Sequence, residues 1–268
     1  MAVKIRKAGV RGKFYPYEAN DIETMIKRWN EKDDTDDAVD VLRPKAIISP
    51  HAGYIYSGYT ANKAHKLLPL SGAETIVVIG PSHHVAFRGI SASFFDKYET
   101  PFGLLDVDAD MLDNLNKLYR FTYEEKAHYL EHSTETQMPF IAYYNGLQTK
   151  VIELIYGLGV SYVELGRIIR HLLVVKKKTA VVISTDLSHF YNVETAKGID
   201  RGCILGVERK DLRLLQMPCE ACGKLGMLGL IKTVNELDLN TKVLSYTHSG
   251  DITGDYDSVV GYMSAVVW

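Results

Sequence analysis

The chain has 268 residues, of which 46% are apolar and 24% charged, and its formal net charge is −2. That length supports one large α/β domain or two small ones, with a core that needs neither disulfides nor a structural metal to form. The near-neutral balance excludes the usual signature of a nucleic-acid or membrane-surface partner, and no apolar window reaches the length of a signal peptide core or a membrane span. A cytoplasmic protein is expected.

In chain order, residues 1–40 read as an N-terminal extension packed onto a single domain spanning 1–268. Within it the helix "DIETMIKRW" precedes the acidic run "EKDDTDDAVD" (Glu31 to Asp40), a surface loop. Short β-branched runs then follow at 46–49 ("AIIS"), 75–80 ("TIVVIG"), 150–156 ("KVIELIY"), 179–184 ("TAVVIS"), 242–247 ("KVLSYT") and 259–267 ("VVGYMSAVV"). Helical periodicity fills the gaps, in "GYTANKAHKLLPL", "DADMLDNLNKLY", "SYVELGRIIRHLLVV", "ETAKGIDRGCILGVE" and "CGKLGMLGLIKTVNEL". Continuous apolar strands alternating with helices predict an α/β fold whose central sheet is mostly parallel or mixed, with helices on both faces. "RGISASFFDKYETPFG" adds an antiparallel hairpin, and Lys176-Lys177-Lys178 is a solvated turn.

Sites in such folds lie beyond the carboxyl ends of the strands. Four of the runs end there on groups that bind a metal or move a proton: His51; His83 and His84; Asp186 and His189; His248 and Asp251. A parallel sheet sets these ends on one rim, so a shared site is expected there. Imidazoles with a carboxylate suit Fe(II), Zn or Mn, and two His plus one carboxylate leave positions open for substrate and O₂. Neutral imidazoles are required, so metal affinity should fall as pH drops through the ordinary histidine range.

Tyr54, Tyr56 and Tyr59 follow His51 in its loop, and Phe14 and Tyr15 lie in "GKFYP". Such rings can stack on a planar ligand or simply pack the loop. "HYLEHSTETQMPF" supplies His128, Glu131, His132, Glu135 and Gln137. Thr134 and Gln137 fit a capping box with Thr134 at the N-cap. His132 and Glu135 are placed where a loop enters a helix, and His132 is a candidate general acid or base.

Cys203, Cys219 and Cys222 form an odd, low set that argues against a secreted disulfide framework. Cys219 and Cys222 have CxxC spacing without the second pair of ligands that structural zinc needs, and read as small buried residues at a helix start. Phosphate-binding glycine loops, the GxSxG elbow and HExxH are all missing, so nucleotide-dependent and serine-hydrolase chemistry lose their best support.

"PHAGYIYSG", "VVIGPSHH", "ETPFG", "EHSTETQMPF", "VVISTDLSH" and "SGDITGD…SVVGY" occur in order, and with them the chain, from "GKFYP" to its end, resembles the Memo-like family. That family is protein B of a trio with an AMMECR1-like and a radical-SAM protein, and those two are the partners the resemblance implies. It is similar in fold to the class III extradiol dioxygenases, which open catechol rings with non-haem Fe(II) held by two His and a Glu. The resemblance therefore implies metal ligands at His51 and His83. The third position, a Cys in some members, falls on Asp251 or Ile252, so Asp251 is the candidate and His248 its substitute. Fe(II) is the implied metal, with Zn or Cu as others. The resemblance places Asp186 near the metal; with His132 and His189 as candidate proton-transfer groups it makes up the expected catalytic set, and Tyr54, Tyr56, His84 and Glu135 are the expected pocket for a small aromatic substrate. Three functions stay open: a dioxygenase acting on a catechol, a catalytically silent metal-containing binding module, and a metal-dependent hydrolase.

Overall fold

The computed structural model describes residues 3–33, 43–175 and 178–268. Residues 34–40 of the acidic run, with Lys176 and Lys177, lie outside the described residues. The first half of the chain forms β1 (Ile5–Arg6), α1 (Ala19–Glu31), β2 (Ala46–Ser49), α2 (Tyr54–His65), β3 (Thr75–Pro81), β4 (Ile90–Ala92), β5 (Lys97–Thr100) and β6 (Gly103–Asp106). Helices α3 (Ala109–Tyr119), α4 (Glu125–Tyr129), α5 (His132–Glu135) and α6 (Met138–Asn145) follow. The second half adds β7 (Lys150–Tyr156), α7 (Tyr162–Val174), β8 (Thr179–Ser184), β9 (His189–Tyr191), α8 (Val193–Glu208), α9 (Leu212–Gln216) and α10 (Lys224–Leu237). It closes with β10 (Thr241–His248), α11 (Gly250–Thr253) and β11 (Val259–Val267).

The main sheet runs β10-β11-β2-β8-β3-β7-β4, with β9 paired to β11 off that path. Strands β2, β8, β3 and β7 are mutually parallel, while β11 runs antiparallel to β2, β10 to β11 and β4 to β7. The chain is thus a single-domain α/β protein built on a mixed sheet. Alternation along β3 shows why both faces are covered. Val77 and Ile79 enter one core with α7 and α10, and Ile76 and Val78 enter another with α2 and α6.

Three local expectations are corrected. The segment read as one hairpin divides: β4 joins the main sheet, whereas β5 pairs antiparallel with β6 and parallel with β1 in a small second sheet. Helix α2 begins at Tyr54, not Gly58, because the Gly53 carbonyl already accepts from the amides of Tyr56 and Ser57. The capping box does not form. Glu131 is the N-cap of α5 and accepts from the Ser133 amide, while Thr134 lies inside that helix and donates to Glu153.

Candidate metal centre

Strands β2, β8 and β3 are neighbours, so their carboxyl ends carry His51, Asp186 and His83 to one rim. Strand β8 lies between the two strands that end in His51 and His83. The Asp186 carboxylate bridges the gap, its Oδ1 accepting from the backbone amides of His51 (2.7 Å) and Ala52 (3.3 Å). Asp186 therefore orients the loop that carries His51. Burial, the leading influence, pushes its carboxyl pKa up.

His132 joins from α5. A Cβ on Gly80 at the end of β3 would stand 2.6 Å from the Ser133 hydroxyl, so only glycine lets α5 approach this closely. One ligand atom from each of His51, His83 and His132 lies within 4.8 Å of the other two. The three rings also meet directly, with His132 centred 4.5 Å from His83 and 5.3 Å from His51.

Hydrogen bonding decides which nitrogens are free. The Ser184 hydroxyl donates to the Ser133 carbonyl and accepts from Gln137 Nε2 at 2.9 Å. Its proton is thus committed, so at the 2.9 Å contact with His51 Nδ1 the ring must be the donor. His51 Nε2 is left with its lone pair. His83 follows the same logic: its Nδ1 lies 2.8 Å from Glu131 Oε1, and its backbone amide donates to Oε2 at 2.6 Å. Burial opposes ionisation of Glu131, yet the hydrogen bonds from His83 and Ser133 hold its carboxyl down at about 2. A carboxylate at that position accepts from Nδ1–H and turns the lone pair of His83 onto Nε2, the arrangement seen behind metal-ligating histidines.

His132 completes the set. Among the described residues its buried Nδ1 has no hydrogen-bond partner, and it lies 3.5 Å from Glu131 Oε1. Phe14, from the N-terminal segment, stacks on the ring at 4.5 Å. Burial, reinforced by His51 and His83, pushes His132 down to about 3, and burial with His83 pushes His51 well below its ordinary value. His51 and His132 held uncharged beside His83 fit a divalent cation and leave room for further ligands.

A thiol that the sequence did not bring to this rim is also present. Cys222 Sγ lies 3.2 Å from His51 Nε2 and accepts from the Asp186 amide at 3.2 Å. Burial and then Asp186 push that thiol up to about 12, so it stays protonated and can donate to the Asp186 carbonyl at 3.6 Å. Gly223 makes the approach: a Cβ there would meet Thr185 at 2.4 Å. The CxxC spacing placed Cys222 at a helix start; the missing step was that α10 starts at the strand-end rim. Its neighbour Cys219 is not a free small residue but is disulfide-bonded to Cys203.

Two cavities, of about 390 and 480 Å³, flank the cluster and share Tyr156 and Leu225 as walls. His83 and His84 line the first, and His189 and Cys222 the second. His189 donates its Nδ1 proton to the Leu187 carbonyl at 2.7 Å, which leaves Nε2 as a base.

The remaining expected residues lie elsewhere. Asp251 is not in the histidine cluster; its Oδ2 accepts from the His248 amide at 3.0 Å, and both line a separate 300 Å³ cavity with Tyr56 and Trp29. Tyr54 is buried, donates to the Thr136 carbonyl at 2.7 Å and stacks on Phe140, which is core packing. Glu135, placed in the pocket by the sequence reading, is fully buried and committed to anchoring. It pairs with Arg6 and accepts from the Gly9 and Val10 amides and the Tyr15 hydroxyl.

The sequence model of the family described as "Memo-like protein" matches residues 6–266. A "MEMO1 family protein" of Aquifex aeolicus is 31% identical over 280 residues, covering 98% of this chain and 99% of the relative. Another from Methanosarcina mazei is 32% identical over 277 residues, covering 99% of this chain and all (100%) of the relative. Full-length matches of this kind show that the chain belongs to the Memo-like family.

Proposed function

We propose that this protein is a metal-dependent oxygenase in which His51, His83 and His132 hold one Fe(II) ion and the substrate is a small catechol-type aromatic. The observation that carries the reading is the fixed pair of tautomers: Ser184 and Glu131 each claim an Nδ1 proton, so the Nε2 lone pairs of His51 and His83 are preset for a cation. Bound there, the ion supplies Lewis-acid and redox chemistry that a protein of ordinary side chains lacks. The chain's own contribution is orientation and proton transfer. Asp186 holds the His51 loop through two backbone amides. His189 offers Nε2 in the 480 Å³ cavity to take a proton from a substrate hydroxyl. The shared wall of Tyr156 and Leu225 keeps both cavities largely apolar.

A second reading has its own support. The clustered groups are three imidazoles with no carboxylate among them, the donor set of hydrolytic zinc centres. Metal analysis of anaerobically purified protein, followed by O₂ uptake with catechol after Fe(II) addition, separates the two. Uptake that disappears in His51→Ala supports the oxygenase. Zinc content with turnover indifferent to O₂ selects the hydrolase, and stoichiometric metal without turnover leaves a binding module. A role beside AMMECR1-like and radical-SAM partners belongs to the same proposal and is tested by co-purification.

A further inference from the structure

Away from the histidine cluster, the 300 Å³ cavity beside Asp251 is walled by three aromatic side chains, Trp29, Tyr56 and Tyr59. Local structure sets the rings there. Tyr56 and Tyr59 are three apart on α2 and so share a face. Trp29 reaches across from α1 because α2 has Gly58 at the crossing, where a Cβ would stand 2.3 Å from the indole. The Tyr59 hydroxyl donates to the Lys32 carbonyl at 3.3 Å, and the hydroxyls of Thr60 and Thr247 meet at 2.7 Å. These contacts tie α2 to the end of α1 and to β10, and β10 leads through His248 to Asp251 in α11.

Asp251 supplies the one carboxylate on this cavity. Its Oδ2 accepts from the His248 amide at 3.0 Å and its Oδ1 lies 3.5 Å from His248 Nε2, which fixes the group while its side chain stays 45% exposed. Tyr56 is 36% exposed, and Trp29 and Tyr59 are half-buried, so both the rings and the charge are open to solvent. Aromatic faces attract cations. Tyr59 does so within the fold, with the Lys63 ammonium 5.0 Å from its centroid and Asp33 balancing that charge at 3.4 Å. Among the described residues, the groups placed to hold a metal are His51, His83 and His132, so His248 and Asp251 do not form a coordination site. A neutral apolar guest would leave the Asp251 charge unanswered, and a strongly hydrated ion would lose its water to aromatic walls. A weakly hydrated alkylated ammonium suits both the rings and the carboxylate.

We propose that this cavity binds a small quaternary ammonium compound, with its methyl groups against Trp29 and Tyr56 and its charge answered by Asp251. The inference is independent of the oxygenase reading, since none of these residues belongs to the histidine cluster. Lys32 also lines the cavity; it is exposed, and its long stem lets the ammonium stay in water. Its like charge opposes the guest, which gives one test its sign.

Choline titrated calorimetrically into the full-length protein tests the site, with 3,3-dimethylbutan-1-ol, the same shape without the charge, as the control. Choline is expected to bind about ten-fold or more tightly than the alcohol. Tyr56→Leu and Asp251→Asn change side chains that are open to solvent, and an asparagine oxygen can still accept from the His248 amide, so the fold tolerates both. Each should weaken choline about five-fold or more, whereas Lys32→Gln should strengthen it. Trp29 fluorescence should respond to choline, and the response should persist in Trp268→Phe, which removes the other tryptophan. Equal affinity for choline and the alcohol, no choline binding, or choline binding that neither Tyr56→Leu nor Asp251→Asn weakens overturns the site. Weaker binding in Lys32→Gln also overturns it, because the cavity would then be reading an anionic group.

Discussion

Glu131 grips His83 at two points, accepting from its backbone amide at 2.6 Å and facing its ring Nδ1 at 2.8 Å. One fully buried carboxylate thus fixes the position, the rotation and the tautomer of a single histidine. Few other pairs in the molecule tie the fold to the site so directly, because Glu131 is also the N-cap of α5, which carries His132.

Glu131→Gln should therefore cost metal affinity about 10–100-fold, the usual penalty for losing the group behind a ligating histidine. A glutamine oxygen can serve one of the two His83 donors, but its NH₂ then confronts the other. Competitive chelator titration measures the change. Unaltered affinity would mean that Glu131 caps a helix and does no more.

Ser184 plays the corresponding part for His51. Ser184→Ala leaves His51 Nδ1 and Gln137 Nε2 each without a buried partner they now share. Stability should fall by about 1–3 kcal/mol, and the ring should begin to populate the other tautomer. Ring ¹⁵N shifts of His51 read the tautomer directly, and urea unfolding reads the stability. A single unchanged tautomer in the variant would show that Ser184 does not set it.

The strand runs and the rim were legible because continuous apolar segments ending in histidine have few other placements in an α/β sheet. Asp251 was a reasonable third ligand by position after β10, but β11 intervenes between β10 and β2. Two strand spacings amount to roughly 10 Å, which is why it stays with His248. His132 and Cys222 come close only because Gly80 and Gly223 admit α5 and the α10 start against the strand ends. No local pattern announces such approaches. Glu135 was misplaced for a related reason: its partner Arg6 is 129 residues away in sequence.

His65 gives the fold an acid limb of its own. It is fully buried, stacks on Phe140 and contacts Gln137 Oε1 through Nε2 at 2.7 Å. Burial pushes its pKa down to about 4, with the Gln137 hydrogen bond opposing. The unfolded chain takes up this proton near pH 6.5 and the folded one only near 4, so stability is complete above 6.5 and is lost as pH falls through that window. The loss is roughly 3 kcal/mol from this residue. Urea unfolding at pH 7 and 4.5 should show it, and His65→Gln should flatten the slope across the same interval. An unchanged slope in the variant would assign the acid limb to other groups.

The same imidazole logic changes the expected pH dependence of the metal centre, since His51 and His132 are held uncharged well below the ordinary histidine range. On the His132 side the site is covered by Phe14, and that cover depends on Glu135. Its carboxylate draws in Arg6, Gly9, Val10 and Tyr15, and four residues beyond Val10 the chain sets Phe14 on the ring of His132. Glu135→Ala leaves the Arg6 guanidinium buried without its ion-pair partner, and removing one member of a buried pair costs about 3–5 kcal/mol. The expected result is a lower unfolding midpoint together with rapid proteolytic cleavage ahead of α1, and a His132 that titrates closer to an ordinary histidine once Phe14 no longer covers it. Limited proteolysis followed by mass spectrometry locates the cut. A variant that loses stability yet keeps residues 3–18 protected would show that Phe14 holds its place by stacking alone, independent of the buried carboxylate.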